Sequence, residues 1–260
     1  MRISCTSFSF NKDIVNGNKN LEIFFKICKK LNISEVEIWD EHTKNYTIED
    51  FRRLKELINK YNLKLITFAV NNHDFTSKNQ DIRNKDIEQV NKWIEISNLL
   101  ECKILRVLPG NLIELNNEKD ILLPHTLASF EKCLKNAIIN NIVLAIENCP
   151  RETDPGVIIE IVKYFNSKNL MLCPDIGNIK PEIRYAAFES LLPWAVHIHA
   201  KTYDFDKNGN ESTIDYYKVL DIIKKYNFNG CISIEYEGDK DELWGVEKSI
   251  SLIRKIMSFV

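Results

Sequence analysis

Four segments in the second half of the chain end in residues that can bind cations or move protons. They read IVLAIEN at 142–148, LMLCPDIGN at 170–178, VHIHAK at 196–201 and CISIEYEG at 231–238. Each begins as an apolar, β-branched run, so each reads as a short strand with polar chemistry at its C-terminal end. Side chains alternate between the two faces of a strand. Val196, Ile198 and Ala200 therefore share one face, which leaves His197, His199 and Lys201 on the other. By the same parity Ser233, Glu235 and Glu237 oppose Ile232 and Ile234, Glu147 opposes Ile142, Leu144 and Ile146, and Asp175 goes with Met171 and Cys173. If these strands lie side by side, Glu147, Asp175, Glu235 and a histidine converge. Three close carboxylates repel one another, and a divalent cation is the simplest compensation.

The rest of the chain supplies the frame. Eight apolar runs recur at Arg2–Cys5, Glu35–Trp39, Lys64–Val70, Lys103–Leu108, Ile142–Glu147, Leu170–Cys173, Ala195–Ala200 and Cys231–Tyr236. Helical patterns lie between them. Leu21, Phe24, Phe25, Cys28 and Leu31 form one face; Thr47 to Asp50 reads as a capping box before Phe51, Leu54, Leu57, Ile58 and Tyr61. Pro155 and Pro181 fall where first turns of helices are expected. One strand and one helix per interval, repeated eight times, predicts parallel strands with crossover helices. In a chain of 260 residues this is the arithmetic of an α/β fold: a single (β/α)8 TIM barrel spanning 1–260. An open doubly wound sheet would want a glycine-rich phosphate loop; GxGxxG and GxxxxGK[ST] are both absent, and the chain has only 8 glycines. In a barrel, chemistry sits at the C-terminal ends of the strands, which is where the acidic and imidazole groups fall.

Composition narrows the partners. Lys+Arg 35 against Asp+Glu 37 gives a net charge of −2, which excludes a nucleic-acid binder that works through bulk charge. No apolar run reaches the ~18 residues of a membrane span, and the first residues do not read as a signal peptide, so no membrane partner is expected. The seven cysteines are odd in number and form no CxxC pair; they read as reduced, packed thiols of a cytoplasmic protein. A homo-oligomer is compatible with all of this.

At the level of motifs the chain resembles the xylose-isomerase-like TIM barrels, the sugar phosphate isomerase/epimerase family. The resemblance runs over most of the chain and is carried by VEIWDEH, NNHDF, LRVLPG, AIENCP, CPDIGN, HIHAKTYDFD and ISIEYEG. It implies that Glu147, Asp175, His199 and Glu235 hold one divalent metal. His199 is preferred to His197 because the family pattern places the ligand two residues before a lysine. Two departures stand out. Cys149 occupies a position where many relatives have His, and Lys201 is followed by Thr202 where many have Asp. Three carboxylates and one imidazole form a mostly hard donor set, suited to Mn²⁺, Mg²⁺ or Co²⁺ and tolerant of Zn²⁺.

Such a site can chelate an α-hydroxy carbonyl sugar or sugar phosphate and stabilise an enediolate. Glu147 and Glu235 are the natural pair to remove and return a proton, which gives epimerisation or ketose–aldose isomerisation. Lys201 is expected to stabilise a substrate oxyanion. Arg106, His73, Asn178 and Trp39 are the expected substrate contacts, with His42 in a similar position to His73. Cys149 reads as an inert thiol. The alternative is a dehydratase of a keto-polyol on the same metal. That reaction wants an acid aimed at a leaving hydroxyl, and only His73 and His42 remain free to supply it. An endonuclease IV-like nuclease is a distant alternative. It would need a cluster of metals, but the chain has only five histidines, with Asn178 at the DxxH position and no basic excess to hold DNA.

Overall fold

The structure is a computed structural model that describes residues 1–71, 73–150 and 154–258. Asn72, within the NNHDF motif, lies outside the described residues. Eight strands form one sheet: β1 (Arg2–Thr6), β2 (Glu35–Trp39), β3 (Lys64–Ala69), β4 (Ile104–Val107), β5 (Val143–Glu147), β6 (Leu170–Cys173), β7 (His197–Thr202) and β8 (Cys231–Tyr236). The order is β6-β5-β4-β3-β2-β1-β8-β7, and every pairing is parallel. The seam between β6 and β7 is closed by two isolated bridges, Leu172 to Ala195 and Asp175 to His199. The result is a single, nearly closed (β/α)8 TIM barrel, as the alternation predicts.

The differences from the expected elements are local. β7 starts two residues later than Ala195 and runs on to Thr202, so Lys201 is a strand residue. Pro155 precedes the helix Gly156–Phe165 as its N-cap, whereas Pro181 sits in the turn before the helix Arg184–Leu191 and not in its first turn. The capping box is present: Thr47 and Asp50 exchange bonds at the start of Ile48–Lys60. Helices are stopped mostly by asparagine. Asn32, Asn62, Asn141, Asn166 and Asn227 take positive φ at or just after helix C-termini, with Glu101 doing the same after Leu100. Asparagine tolerates the left-handed conformation usually given to glycine, so the chain turns into its strands with few glycines.

Between barrel and helices runs the main apolar core, from Phe24, Phe25 and Phe68 on one side to Leu191, Val219 and Ile253 on the other. Inside the barrel Ile66, Ile104, Ala145, Cys173 and Cys231 form a separate small apolar cluster. Ile66 is the extra residue of a β-bulge, since Val36 pairs with Leu65 and Glu37 with Thr67. Inward positions nearer the C-terminal ends carry Glu37, Arg106, Glu147, His199 and Glu235, all buried. Among the described residues no helix is long and apolar enough to cross a membrane.

Candidate active site

The ends of β5 to β8 bring the acidic and imidazole groups together. Glu147 ends β5 and points inward beside Ala145. After β6 the chain passes Pro174 to Asp175, whose backbone is clamped by Asn148. The Asn148 side chain donates to the Asp175 carbonyl (2.9 Å) and accepts from its N–H (2.8 Å). Asp175 Oδ1 accepts from Gly177 N–H (2.8 Å), which leaves Oδ2 aimed at the centre. Gly177 is required sterically: a Cβ there would meet three carbons of the Lys201 side chain at 2.8 Å. His199 N–H donates to the Pro174 carbonyl (3.0 Å), so the barrel seam itself sets Asp175 beside His199.

His199 is held from below. Its Nε2–H donates to Glu37 Oε2 (3.1 Å), and the same oxygen accepts from His197 Nε2 (2.8 Å). The other nitrogen, Nδ1, lies 2.8 Å from Glu235 and 3.8 Å from Glu147. Lys201 Nζ lies 2.8 Å from Asp175, 2.9 Å from Glu237 and 3.2 Å from Glu235, and donates to Asn178 Oδ1 (3.0 Å). Asn178 also donates to Glu147 (3.1 Å), so it bridges the lysine and the first glutamate. Arg106 Nε lies 2.9 Å from Glu147, and its Nη1 donates to Asn71 (2.5 Å) and the Val70 carbonyl (3.1 Å).

Electrostatics follow from this packing. Burial, with Glu235 and Glu147 nearby, pushes the Asp175 carboxyl up to about 7 against the pull of Lys201. Burial opposes ionisation of Glu235, but Lys201 and His199 outweigh it and hold the group well below the usual carboxylate range. Burial likewise opposes a charge on Lys201, yet Asp175, Glu235 and Glu237 hold the ammonium well above its ordinary value. For His199 burial is outweighed by the Glu37 and Glu235 carboxylates, which hold the imidazole well above its ordinary value. Lys201 and Arg106 thus share the compensation that charge repulsion alone would assign to a divalent ion.

A divalent cation nevertheless fits the donors. Ligand atoms of Glu147, Asp175 and His199 lie within 4.8 Å of one another, and Glu235 approaches the same His199 nitrogen. His199 Nδ1 and Asp175 Oδ2 are buried and have close neighbours but no properly directed hydrogen bond. Such a pair of orphaned atoms suits ligands that point at a shared ion. A cation on Nδ1 would take the place of a proton there. The Glu37 carboxylate on the far nitrogen is the partner a metal-bound histidine commonly has. Cys173, His197 and His199 form a second group within 4.8 Å. It fits less well, because burial pushes the Cys173 thiol up to about 12 and only a thiolate ligates.

The glutamates face open space. Glu147 and Glu235 line a cavity of about 80 Å³ together with Phe8, Trp39, Arg106 and Lys201. Trp39 packs edge-on against Phe8 with ring centroids 4.8 Å apart. Cys149 also borders the cavity, and burial with Glu147 nearby pushes its thiol up to about 12. Two expected substrate contacts are occupied elsewhere. His73 is buried; with the proton on Nδ1 it donates to the Asn71 carbonyl (3.1 Å) and accepts from Leu108 N–H at Nε2 (3.1 Å). It ties the loop after β3 to the end of β4 and does not line the cavity. His42 accepts from the Ser7 hydroxyl (2.9 Å), approaches Asn11 (3.3 Å) and stacks edge-on against Trp39. The residues that sequence reasoning missed are Glu37 and Asn148. Glu37 was legible by parity, as an acidic residue between Val36 and Ile38 in a run of strand character. Asn148 carried no signal beyond its place after Glu147.

The profile of the xylose isomerase-like TIM barrel matches residues 25–256, and the chain belongs to that family. An uncharacterized protein of Methanocaldococcus jannaschii is 26% identical over 248 residues, covering 88% of this chain and 82% of that one. A D-tagatose 3-epimerase-like protein shares the fold at a TM-score of 0.78 and 22% identity, over 100% of this chain and 98% of its own. The IolI protein, solved with a bound zinc atom, has a TM-score of 0.77 and 17% identity over 100% and 97% of the two chains.

Proposed function

We propose that the chain is a metal-dependent isomerase or epimerase of a ketose or related α-hydroxy carbonyl sugar. The observation that carries this reading is the placement of Glu147 and Glu235. They come from β5 and β8, flank the same His199 nitrogen and both line the central cavity. Glu147, Asp175, His199 and Glu235 would hold one divalent ion. When bound, that ion supplies Lewis-acid polarisation of the substrate carbonyl. One glutamate takes the proton from the carbon next to the carbonyl, and the other returns one to the opposite face or to the neighbouring carbon. Lys201, kept charged by its three carboxylates, stabilises negative charge on the substrate oxygen. Arg106 and Asn178 orient Glu147, and Trp39 offers an apolar wall to the sugar.

Proton relocation is favoured over dehydration by what the histidines do. No histidine is among the described residues that line the cavity, and His73 and His42 are engaged by the backbone and by Ser7. A leaving hydroxyl therefore lacks the uncommitted imidazole that would serve as its acid. Incubation with candidate ketoses in D₂O, with Mn²⁺ added, tests the proposal. Deuterium should enter at the carbon next to the carbonyl, with product mass otherwise unchanged. A product lighter by one water, formed without a prior epimer or isomer, would make the protein a lyase.

A further inference from the structure

A second cavity, of about 540 Å³, opens beside the first. Glu237 lines both, and Lys201 holds it at 2.9 Å. Small-molecule sites generally need about 300–1,000 Å³. The central cavity is too small for a whole sugar derivative, whereas the two together are not. Glu237 borders both, so a ligand that reaches Glu147 and Glu235 and continues past Glu237 would enter the larger space.

The wall of that space holds a buried arginine that has no counter-ion among the described residues. Arg184 is 8% exposed. Its Nη1 donates to the Thr213 carbonyl (2.8 Å), which fixes the guanidinium plane, while the buried Nε–H finds no acceptor. Among the described residues no carboxylate forms an ion pair with it. The other charges on the wall are accounted for: Glu237 is held by Lys201, Asp204 by Lys240 (2.6 Å), and Asp239 is exposed at the rim. Burying a guanidinium is costly unless an anion pairs with it. Arg184 also opens the helix Arg184–Leu191, and the preceding Ile183 provides no side-chain cap. The positive end of that helix adds to the attraction.

We propose that Arg184 binds an anionic group at the far end of the substrate, a phosphate or a carboxylate, so that the substrate is a sugar phosphate or a sugar acid and not a neutral sugar. The inference rests on the reading of Glu147 and Glu235 as the reacting end. Its test does not: it needs neither metal nor turnover, so a failed deuterium exchange and a failed anion site are separate results.

The full chain is titrated calorimetrically, in EDTA, with inorganic phosphate and separately with malonate. At least one should bind the wild type. Arg184→Gln should weaken that binding about tenfold or more, and Arg184→Lys by less, since a lysine keeps the charge but loses the planar fork. Phosphate without malonate assigns a phosphorylated substrate; malonate without phosphate assigns a sugar acid; both support an oxyanion subsite. Binding of neither, or equal binding by wild type and Arg184→Gln, overturns the proposal. If loss of the Thr213 bond prevents Arg184→Gln from folding, the Arg184 Nε–H resonance of the wild type is followed instead. It should shift saturably as the anion is added, and a resonance that stays put overturns the proposal equally.

Discussion

Glu37 is the most informative residue to change: it borders the central cavity, but its hydrogen bond into the proposed ligand set runs through His199. Glu37→Gln keeps an acceptor oxygen and nearly the same volume but removes the charge. In the structure one carboxylate oxygen accepts from both His197 (2.8 Å) and His199 (3.1 Å), with all three side chains at most 1% exposed. A hydrogen bond to a charged partner contributes about 1.5–3 kcal/mol, against about 0.5–1.5 kcal/mol for a neutral one. The His199 bond therefore weakens by roughly 1 kcal/mol, which corresponds to about five- to tenfold in the affinity of a metal on Nδ1. That sits at the lower edge of the 10–100-fold commonly caused by losing a carboxylate behind a metal-bound histidine. The assay is Mn²⁺ affinity by competition with a chelator, with urea denaturation alongside to show that the variant is folded. The His199→Ala background gives the control: there the Glu37→Gln effect should vanish, because the coupling runs through His199. Wild-type affinity in a folded Glu37→Gln protein would refute the reasoning. An equal loss in both backgrounds would refute it too, since Glu37 would then act on the site by another route.

Other predictions follow from single contacts. Glu147→Gln and Glu235→Gln should keep at least partial metal binding yet lose turnover by roughly 10²-fold or more, measured as deuterium exchange on the substrate; near-wild-type exchange in either variant would remove that glutamate as a proton carrier. Asn148→Leu should lower stability by roughly 2–4 kcal/mol in urea melts, because it strands the buried N–H and carbonyl of Asp175; an unchanged melt would show that the clamp is redundant. His42, pushed by burial from 6.5 down to about 4, lets the unfolded chain take up a proton first as the pH falls. Its contribution is therefore whole above about pH 6.5 and lost towards pH 4, on the order of 1–2 kcal/mol after allowance for its part exposure. His42→Asn should show a shallower fall in urea midpoint between pH 7 and pH 5 than the wild type, and parallel curves would contradict the assignment.

What the sequence disclosed and what it concealed divide along a physical line. Strand positions and faces are local properties, written in hydrophobic period and β-branching, so β2, β6 and β8 have the bounds that the runs indicate and Glu147, Asp175, His199 and Glu235 share one interior. Asparagine at the helix stops hid several boundaries only because glycine is the residue one looks for. Pairing across the barrel is a different matter. His73 looked free in sequence because its partners, the Asn71 carbonyl and the Leu108 N–H, are backbone groups that no side-chain pattern records. Lys201 looked like a catalytic cation. Pairing with Asp175 or Glu235 was the plainer alternative in the sequence, and the closed barrel brings all four partners onto it, Glu235 from β8 and Asp175, Asn178 and Glu237 from the segments that follow β6 and β8, so that it also neutralises the acidic cluster. Glu37 lies between these cases. Its inward face followed from parity on EVEIW, but its role required knowing that β2 faces β7 across the barrel, some 160 residues along the chain. A buried acid in the middle of an early barrel strand is costly on its own. The same parity that gathers the reacting groups at the late strands can therefore be run backwards, from an unexplained inward charge to the histidine that must lie opposite it.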